Sequence, residues 1–444
     1  MSVKSCVFCF LLLFFLAACG SDPSTQEQQP EILYFANNSS LDSSLWKTDG
    51  TSEGTTLVKR FVYDDPCYWP YFPTLVGETV YFGGTYNISE QELCKSDGTA
   101  EGTILVTDIG ESSTSSPQEL TAVGNELFFT ARDWEHGREL WKTDGTKQGT
   151  MLVKDIEPVV GLGSGPNNLT VFNNKIYFSA VETIEGVEPW VSDGSAIGTF
   201  ILKNIDNPSG NSSPQGFLPT DSFLFFTADD GIHGWELWAT DGSTEGTYMV
   251  SDIHPTGSSL AQELTKCNAQ VYFLATVDEP GNYSLWRTDG TETGTNKVTT
   301  IADPINDIEC AGGNIFFRTV TIAETVRNDI WVTDGTSNGT RILKDLYPGE
   351  VYYLEFYLEV NGDLYFGARP ATESFPGIWK SDGTEEGTVL ITDLSLSKYS
   401  PAIIKNTNFS YYGVNNQFLL HYGVTLWGTD GTEEGTVLIK TLDE

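Results

Sequence analysis

Residues 117–156 read PQELTAVGNELFFTARDWEHGRELWKTDGTKQGTMLVKDI. Apolar residues here cluster in short stretches between Gly, Asn and Asp, and nothing repeats at a helical period. Four short strands follow: a over 119–123, b over 126–131, c over 139–143 and d over 150–156. Gly124-Asn125 makes a tight turn between a and b. Asp144 opens the turn between c and d, where its carboxylate can accept from backbone amides two residues on. Gly145 and Gly149 are both expected at positive φ, which β-branched residues resist.

Working outward, the same unit recurs along the chain. Asp-Gly pairs begin at Asp49, Asp97, Asp144, Asp193, Asp241, Asp289, Asp334, Asp382 and Asp430, and Gly-Thr follows five residues after each Asp. Trp stands three residues before the Asp in every unit except the second, which has Cys94. A fixed period of this kind marks a repeat architecture. Strand b carries adjacent large side chains, such as Phe128-Phe129 and Tyr177-Phe178, and strand c carries Leu140-Trp141. Neighbours on a strand point to opposite faces, so both faces must be buried. A sandwich would leave one face wet. The expected fold is therefore all-β, a β-propeller of four-stranded antiparallel blades with nine repeat units. Unit 1 starts at strand b, so the ring has nine blades, or eight plus an extra hairpin.

The pattern E-L-W-x-x-D-G-T-x-x-G-T, at 139–150 and, with Ser243 for its first Thr, at 236–247, resembles the bacterial ELWxxDGT repeat. That resemblance covers nearly all of residues 31–444 and implies an exported, propeller-like protein without implying one activity. Unit 2 departs from it at Cys94 and unit 4 at Pro189.

Residues 1–18 have Lys4, an apolar run and small residues, the order of a secretory signal. Leu16-Ala17-Ala18-Cys19 resembles the lipobox of bacterial lipoproteins. This implies cleavage before Cys19, lipidation of Cys19 and attachment to a membrane through the lipid. Residues 19–30 read as a flexible tether. Gly20 stands where an inner-membrane retention Asp would sit, so the resemblance favours the outer membrane of a bacterial envelope. Export permits disulfides. Cys67 and Cys94 fall in one unit and are the preferred pair, leaving Cys267 and Cys310 to bridge neighbouring units; four free thiols are the alternative.

Lys+Arg number 24 against 61 Asp+Glu, a net charge of −37. A polyanion of this size repels phosphate backbones, so nucleic acid is excluded as a partner. In a meander the d–a and b–c loops share one face, where variation permits recognition. Asp64, Asp65, Tyr68, Trp69 and Tyr71 lie in the most distinctive of these segments, DDPCYWPYFP, and are the expected ligand-binding residues. Flat aromatics beside carboxylates suit sugar faces or a protein hot spot; closing the ring beside unit 1 would explain them equally. Tyr347, Tyr352, Tyr353 and Tyr399 are a second aromatic group. His136 and His233 hold equivalent positions and read as turn residues, while His254 and His421 are each unique to their units. One carboxylate per DGT turn is too few for calcium. No metal site, cofactor or catalytic residue is assigned. The expectation is a binding module for an envelope protein or polysaccharide. The alternatives are a polysaccharide lyase or glycoside hydrolase drawing on His254, Arg132, Arg318, Asp64 and Asp65, or a structural part of an envelope complex.

Overall fold

The computed structural model describes residues 31–442 except 39–42, 87–89, 111–113, 207–209, 278–281, 299–300, 302–303, 323–325, 349–351, 371, 373–376, 394–408 and 423. The signal, Cys19, the tether and Tyr399 lie outside the described residues. Every regular element is a strand, and the strands form nine separate antiparallel sheets. In blade 3 the strands are Gln118–Val123, Glu126–Asp133, Gly137–Thr143 and Met151–Lys154, in simple meander order.

The adjacent large side chains assemble the ring. Phe128 and Leu140 pack with Ile176, Phe178 and Trp190 of blade 4. Phe129 and Leu127 pack with Tyr81 and Leu93 of blade 2. Phe129 and Leu140 are each 0% exposed. The same sharing recurs at each blade-to-blade boundary, so the molecule is a nine-bladed β-propeller. Unit 1 is a blade in its own right with three strands, Leu33–Asn38, Ser43–Thr48 and Thr56–Arg60. Its Phe35 and Trp46 pack with Val414, Leu419 and Leu426 of blade 9. Asn415 fastens that seam. Its Oδ1 accepts from Glu31 N (3.0 Å), and its Nδ2 donates to Glu31 O (3.1 Å) and Asp49 O (2.9 Å).

The nine Asp-Gly turns, seven reading DGT and two DGS with Ser195 and Ser243, share one hydrogen-bond scheme. In blade 3, Asp144 Oδ1 accepts from Thr146 N (2.8 Å) and Thr146 Oγ1 (2.7 Å). Thr146 Oγ1 in turn accepts from Gly149 N (2.9 Å), and the hydroxyls of Thr143 and Thr150 meet at 2.7 Å. The donors on Thr146 hold the Asp144 carboxyl below its ordinary range. The two glycines serve different ends, which corrects the sequence expectation. Gly145 has φ +87, whereas Gly149 is not at positive φ; a Cβ on it would lie 2.0 Å from Asp144 Oδ1. The carboxylate occupies the space where any other residue would carry a side chain.

The Glu of the ELW triplet has a role that the sequence reading missed. Glu92 accepts from Ser115 Oγ (2.8 Å), Ser115 N (3.1 Å) and Ile109 N (3.3 Å). Glu139, Glu188 and Glu236 hold the equivalent loops through Ser164, Ser212 and Ser259. Each carboxylate thus pins the d–a loop that leads to the next blade's inner strand. Ser44, Ser284, Asp329, Gly377 and Thr425 stand at this position in the other five blades. Burial pushes Glu92 up to about 7 and raises Glu139, Glu188 and Glu236.

Two outcomes follow. Gly149→Ala drives a methyl into the Asp144 carboxylate and should lower stability by about 1–3 kcal/mol in urea titration. For Glu92 the folded chain keeps a proton that the unfolded chain has released. Stability is therefore fully present below the ordinary Glu range and falls as pH rises toward about 7. That shift corresponds to a loss on the order of 3 kcal/mol. Glu92→Gln should flatten this segment of the stability–pH curve, as read from denaturant midpoints between pH 4.5 and 8.

Candidate functional site

The d–a and b–c loops gather on one face of the ring, and the DGT turns on the other. The segment 64–73 lies on the loop face, but half of it is not a loop. Tyr68–Val76 is the inner strand of blade 2. It pairs irregularly with the next strand, with register breaks between Tyr68 and Tyr71 and between Tyr71 and Thr74. Blade 1 lacks an inner strand, and the start of this one leans across to it. Trp69 N donates to Ser43 Oγ (2.8 Å), and Asn38 Nδ2 donates to Pro70 O (2.7 Å).

Trp69 and Phe72 lie in the left-handed region, at φ +56 and +52. So do their counterparts Ser116 and Glu119, Gly165 and Asn168, Ser213 and Gly216, and Leu260 and Glu263 in blades 3 to 6. The conformation therefore belongs to the repeat's inner strand, and blade 2 sets two aromatics on it. Bulky residues rarely adopt this conformation, and it costs roughly 1–3 kcal/mol each. The strain is not repaid by burial, since Phe72 is 65% and Trp69 39% exposed. Neighbouring rings brace them: Tyr68 lies 6.0 Å from Trp69 and Tyr71 lies 5.4 Å from Phe72. Phe72, Pro73 and Thr74 face Gln118, Glu119, Leu120 and Thr121 of blade 3 across an open cavity of about 620 Å³ between the two inner strands.

The rest of blade 2 is fitted to this strand. Cys67 is bonded to Cys94, the residue standing in the place of the repeat's Trp. The Tyr71 ring lies over Gly83, where a Cβ would come within 2.1 Å of it, and Gly84 admits the Cys67 backbone. Burial raises the Tyr71 hydroxyl well above its ordinary value. Cys267 is bonded to Cys310 between blades 6 and 7.

The carboxylates expected beside the aromatics divide. Asp65 is held by Lys59 (3.3 Å) and by Val62 N (3.1 Å), which fixes the turn. Asp64 is exposed. Tyr68 lies against Trp69, whereas Tyr71 is turned in over Gly83 and meets the ring of Phe72. The second aromatic group does not form a surface: Tyr352 is fully buried, Tyr347 packs on it and on Trp379, and Tyr353 carries Arg369 over its ring at 4.5 Å. Asp133 binds the Nδ1 of His136, and Asp230 that of His233, both at 2.7 Å within the b–c turns. His421 lies against Phe35 in the blade 9–1 seam.

The side chains considered for catalysis stay apart. His254 lies in the loop leaving blade 5, Arg132 in blade 3, and Asp64 and Asp65 between blades 1 and 2. Arg318 meets the Asp307 carboxylate within blade 7. Among the described residues, no three His, Cys, Asp or Glu side chains are grouped to hold a metal ion.

No family model matches the chain, and no curated protein matches it. Solved structures do. A prolyl endopeptidase matches at 12% identity over 80% of this chain and 54% of its own, with a TM-score of 0.43. A puromycin hydrolase matches at 13% identity over 81% of this chain and 58% of its own, with a TM-score of 0.41. The tricorn protease matches at 12% identity over 92% of this chain and 42% of its own, with a TM-score of 0.37. The chain thus spans roughly half the length of these proteins.

The exposed, strained aromatics give a direct expectation. Phe72→Asn, a residue that tolerates positive φ, should leave stability unchanged within about 0.5 kcal/mol or raise it by up to about 1 kcal/mol. A clear loss in the urea midpoint would show that Phe72 is kept for folding.

Proposed function

We propose that this protein is a lipid-anchored propeller of the bacterial envelope that binds a polysaccharide at the loop-side mouth of its channel, on blades 2 and 3. The observation that carries the reading is the strained and exposed pair Trp69 and Phe72 beside the open cavity. Exposed aromatic faces stack on sugar rings, and Thr74, Gln118 and Thr121 offer amide and hydroxyl partners for sugar hydroxyls. The two disulfides agree with export. Lipidation of Cys19 supplies the anchor. Residue 31 sits on the DGT-turn side through its bonds to Asn415. A tether of twelve residues, reaching at most roughly 40 Å, then leaves from the face opposite the aromatic mouth. The binding face points away from the membrane.

A protein partner has its own support. Trp134, Val160, Leu162 and Ile184 are each more than 60% exposed on the loop face of blades 3 and 4. Large exposed apolar side chains on these neighbouring loops fit a protein contact.

Affinity electrophoresis in gels containing envelope or plant-cell-wall polysaccharides tests the first reading. Retardation is expected for the parent and should disappear in Trp69→Ala/Phe72→Ala with an unchanged melting curve. If no polysaccharide retards the protein while Leu162→Asp abolishes capture of a defined envelope protein, the second reading replaces it. Cys19→Ser should abolish fatty-acid labelling and release the chain from the membrane fraction.

A further inference from the structure

Arg132 and Arg138 stand directly opposite each other on strands b and c of blade 3. Their side chains therefore leave the same face of the sheet. Arg132 is exposed. Arg138 reaches inward, and its Nη1 donates to Ser116 O (2.9 Å), Thr130 Oγ1 (3.1 Å) and Thr130 O (3.4 Å). All of these acceptors are neutral. Among the described residues, neither guanidinium has a carboxylate within ion-pair distance.

The chain has 61 acids against 24 Lys and Arg, so carboxylates are plentiful. Several other cations are engaged. Lys59, Lys142, Lys266, Arg318 and Lys380 meet carboxylates, and Lys95, Lys154 and Lys344 cap carbonyls of the next blade. Two neighbouring guanidinium groups without a counter-charge repel one another, and burial together with Arg132 lowers the proton affinity of Arg138. Ser116, which anchors Arg138, stands two residues before Gln118 in the wall of the channel-mouth cavity. On the opposite wall Tyr71 precedes Phe72, and its buried hydroxyl has no partner. Arg138 is satisfied by its neutral acceptors, while among the described residues the Arg132 guanidinium and the Tyr71 hydroxyl have no partner.

Building on the polysaccharide reading of the mouth, we propose that Arg132 and Arg138 form a subsite for an acidic sugar substituent, a carboxylate or a sulfate ester. Planar guanidinium groups match both oxyanions, and charge-assisted bonds are the stronger class. The protein's net negative charge opposes a dense polyanion. Screening within about 8 Å at physiological salt confines that opposition to close approach. The fitting ligand is a largely neutral polymer with scattered acidic groups, stacked on Trp69 and Phe72 and read at one point by the arginines.

Titration calorimetry on the full mature chain in 0.15 M salt tests this with a neutral galactose tetrasaccharide and its counterparts carrying one uronate or one sulfate ester. The acidic forms should bind at least roughly tenfold more tightly than the neutral one. The uronate and sulfate arms separate the two acids. Arg132→Gln, at an exposed position, should abolish most of the acid preference and leave neutral affinity unchanged. Arg138→Gln should do the same, with its melting curve as a control. Equal affinities, or an acid preference that survives Arg132→Gln, would overturn the arginine assignment and leave the polysaccharide reading standing. Failure of all three sugars to bind would overturn both. Displacement of the acidic sugar by hexaglutamate at equal concentration would make the site a protein contact and overturn the proposal.

Discussion

The structure depends on one constraint: two bulky neighbours on a strand cannot both be covered by the same sheet. Phe128 and Phe129 leave opposite faces of blade 3, so blade 3 needs a blade on each side. Each of those blades carries the same demand. An open stack would always leave one apolar face exposed at its end, and closure into a ring is what removes it. At the seam the demand is met with unequal partners. Blade 1 offers three strands, yet Phe35 and Trp46 still find Val414, Leu419 and Leu426. A shared strand is not required, because the side-chain demand is satisfied in strands b and c, which blade 1 retains.

The scarce cations follow the same logic of joining blade to blade. Lys95 Nζ reaches Gly145 O (2.8 Å), Lys154 Nζ reaches Thr199 O (2.7 Å) and Lys344 Nζ reaches Thr388 O (2.7 Å). These lysines cap carbonyls at the turns of the next blade instead of neutralising surface acids. The excess of Asp and Glu is therefore left on the surface, while a subset works inside the turns and loops. Asp144 and its equivalents are held ionised by hydroxyl and amide donors. Glu92 and its equivalents are buried, so the same residue class titrates in opposite directions in two parts of one repeat.

Much of this was legible in the sequence, and the failures have physical causes. Strand positions in blade 3 matched to within a few residues because the turn residues punctuate them. Glu139 was quoted as part of a motif without a role, since its partners Ser164 and Glu157 N lie in a loop whose path sequence does not show. The segment 64–73 read as a loop because Pro66, Pro70 and Pro73 break any strand pattern. As an inner strand facing the channel, it keeps only one flank in the ladder, so proline is tolerated there. Tyr352 was legible as an aromatic but not as core, because burial depends on the neighbouring blade.

The departures from the repeat converge on one sector. Blade 1 lacks its inner strand, blade 2 exchanges Trp for Cys94, and strand b of blade 2 carries Gly83-Gly84, where blade 8 has Gly367-Ala368 and the other units larger pairs. These changes have a common consequence. The missing strand gives the start of the Tyr68–Val76 strand room to lean, and the disulfide fixes its origin. The glycines make space for Tyr71 and for the backbone of Cys67. The inner strands of blades 3 to 6 carry the same two left-handed positions, but blade 2 sets Trp69 and Phe72 there and leaves both toward solvent, where they add little to the core. Ring closure alone would be served by burying them. The left-handed positions are common to the inner strands of blades 2 to 6, and this sector differs in what it sets on them: two aromatic rings held toward solvent by a strand whose origin the disulfide fixes.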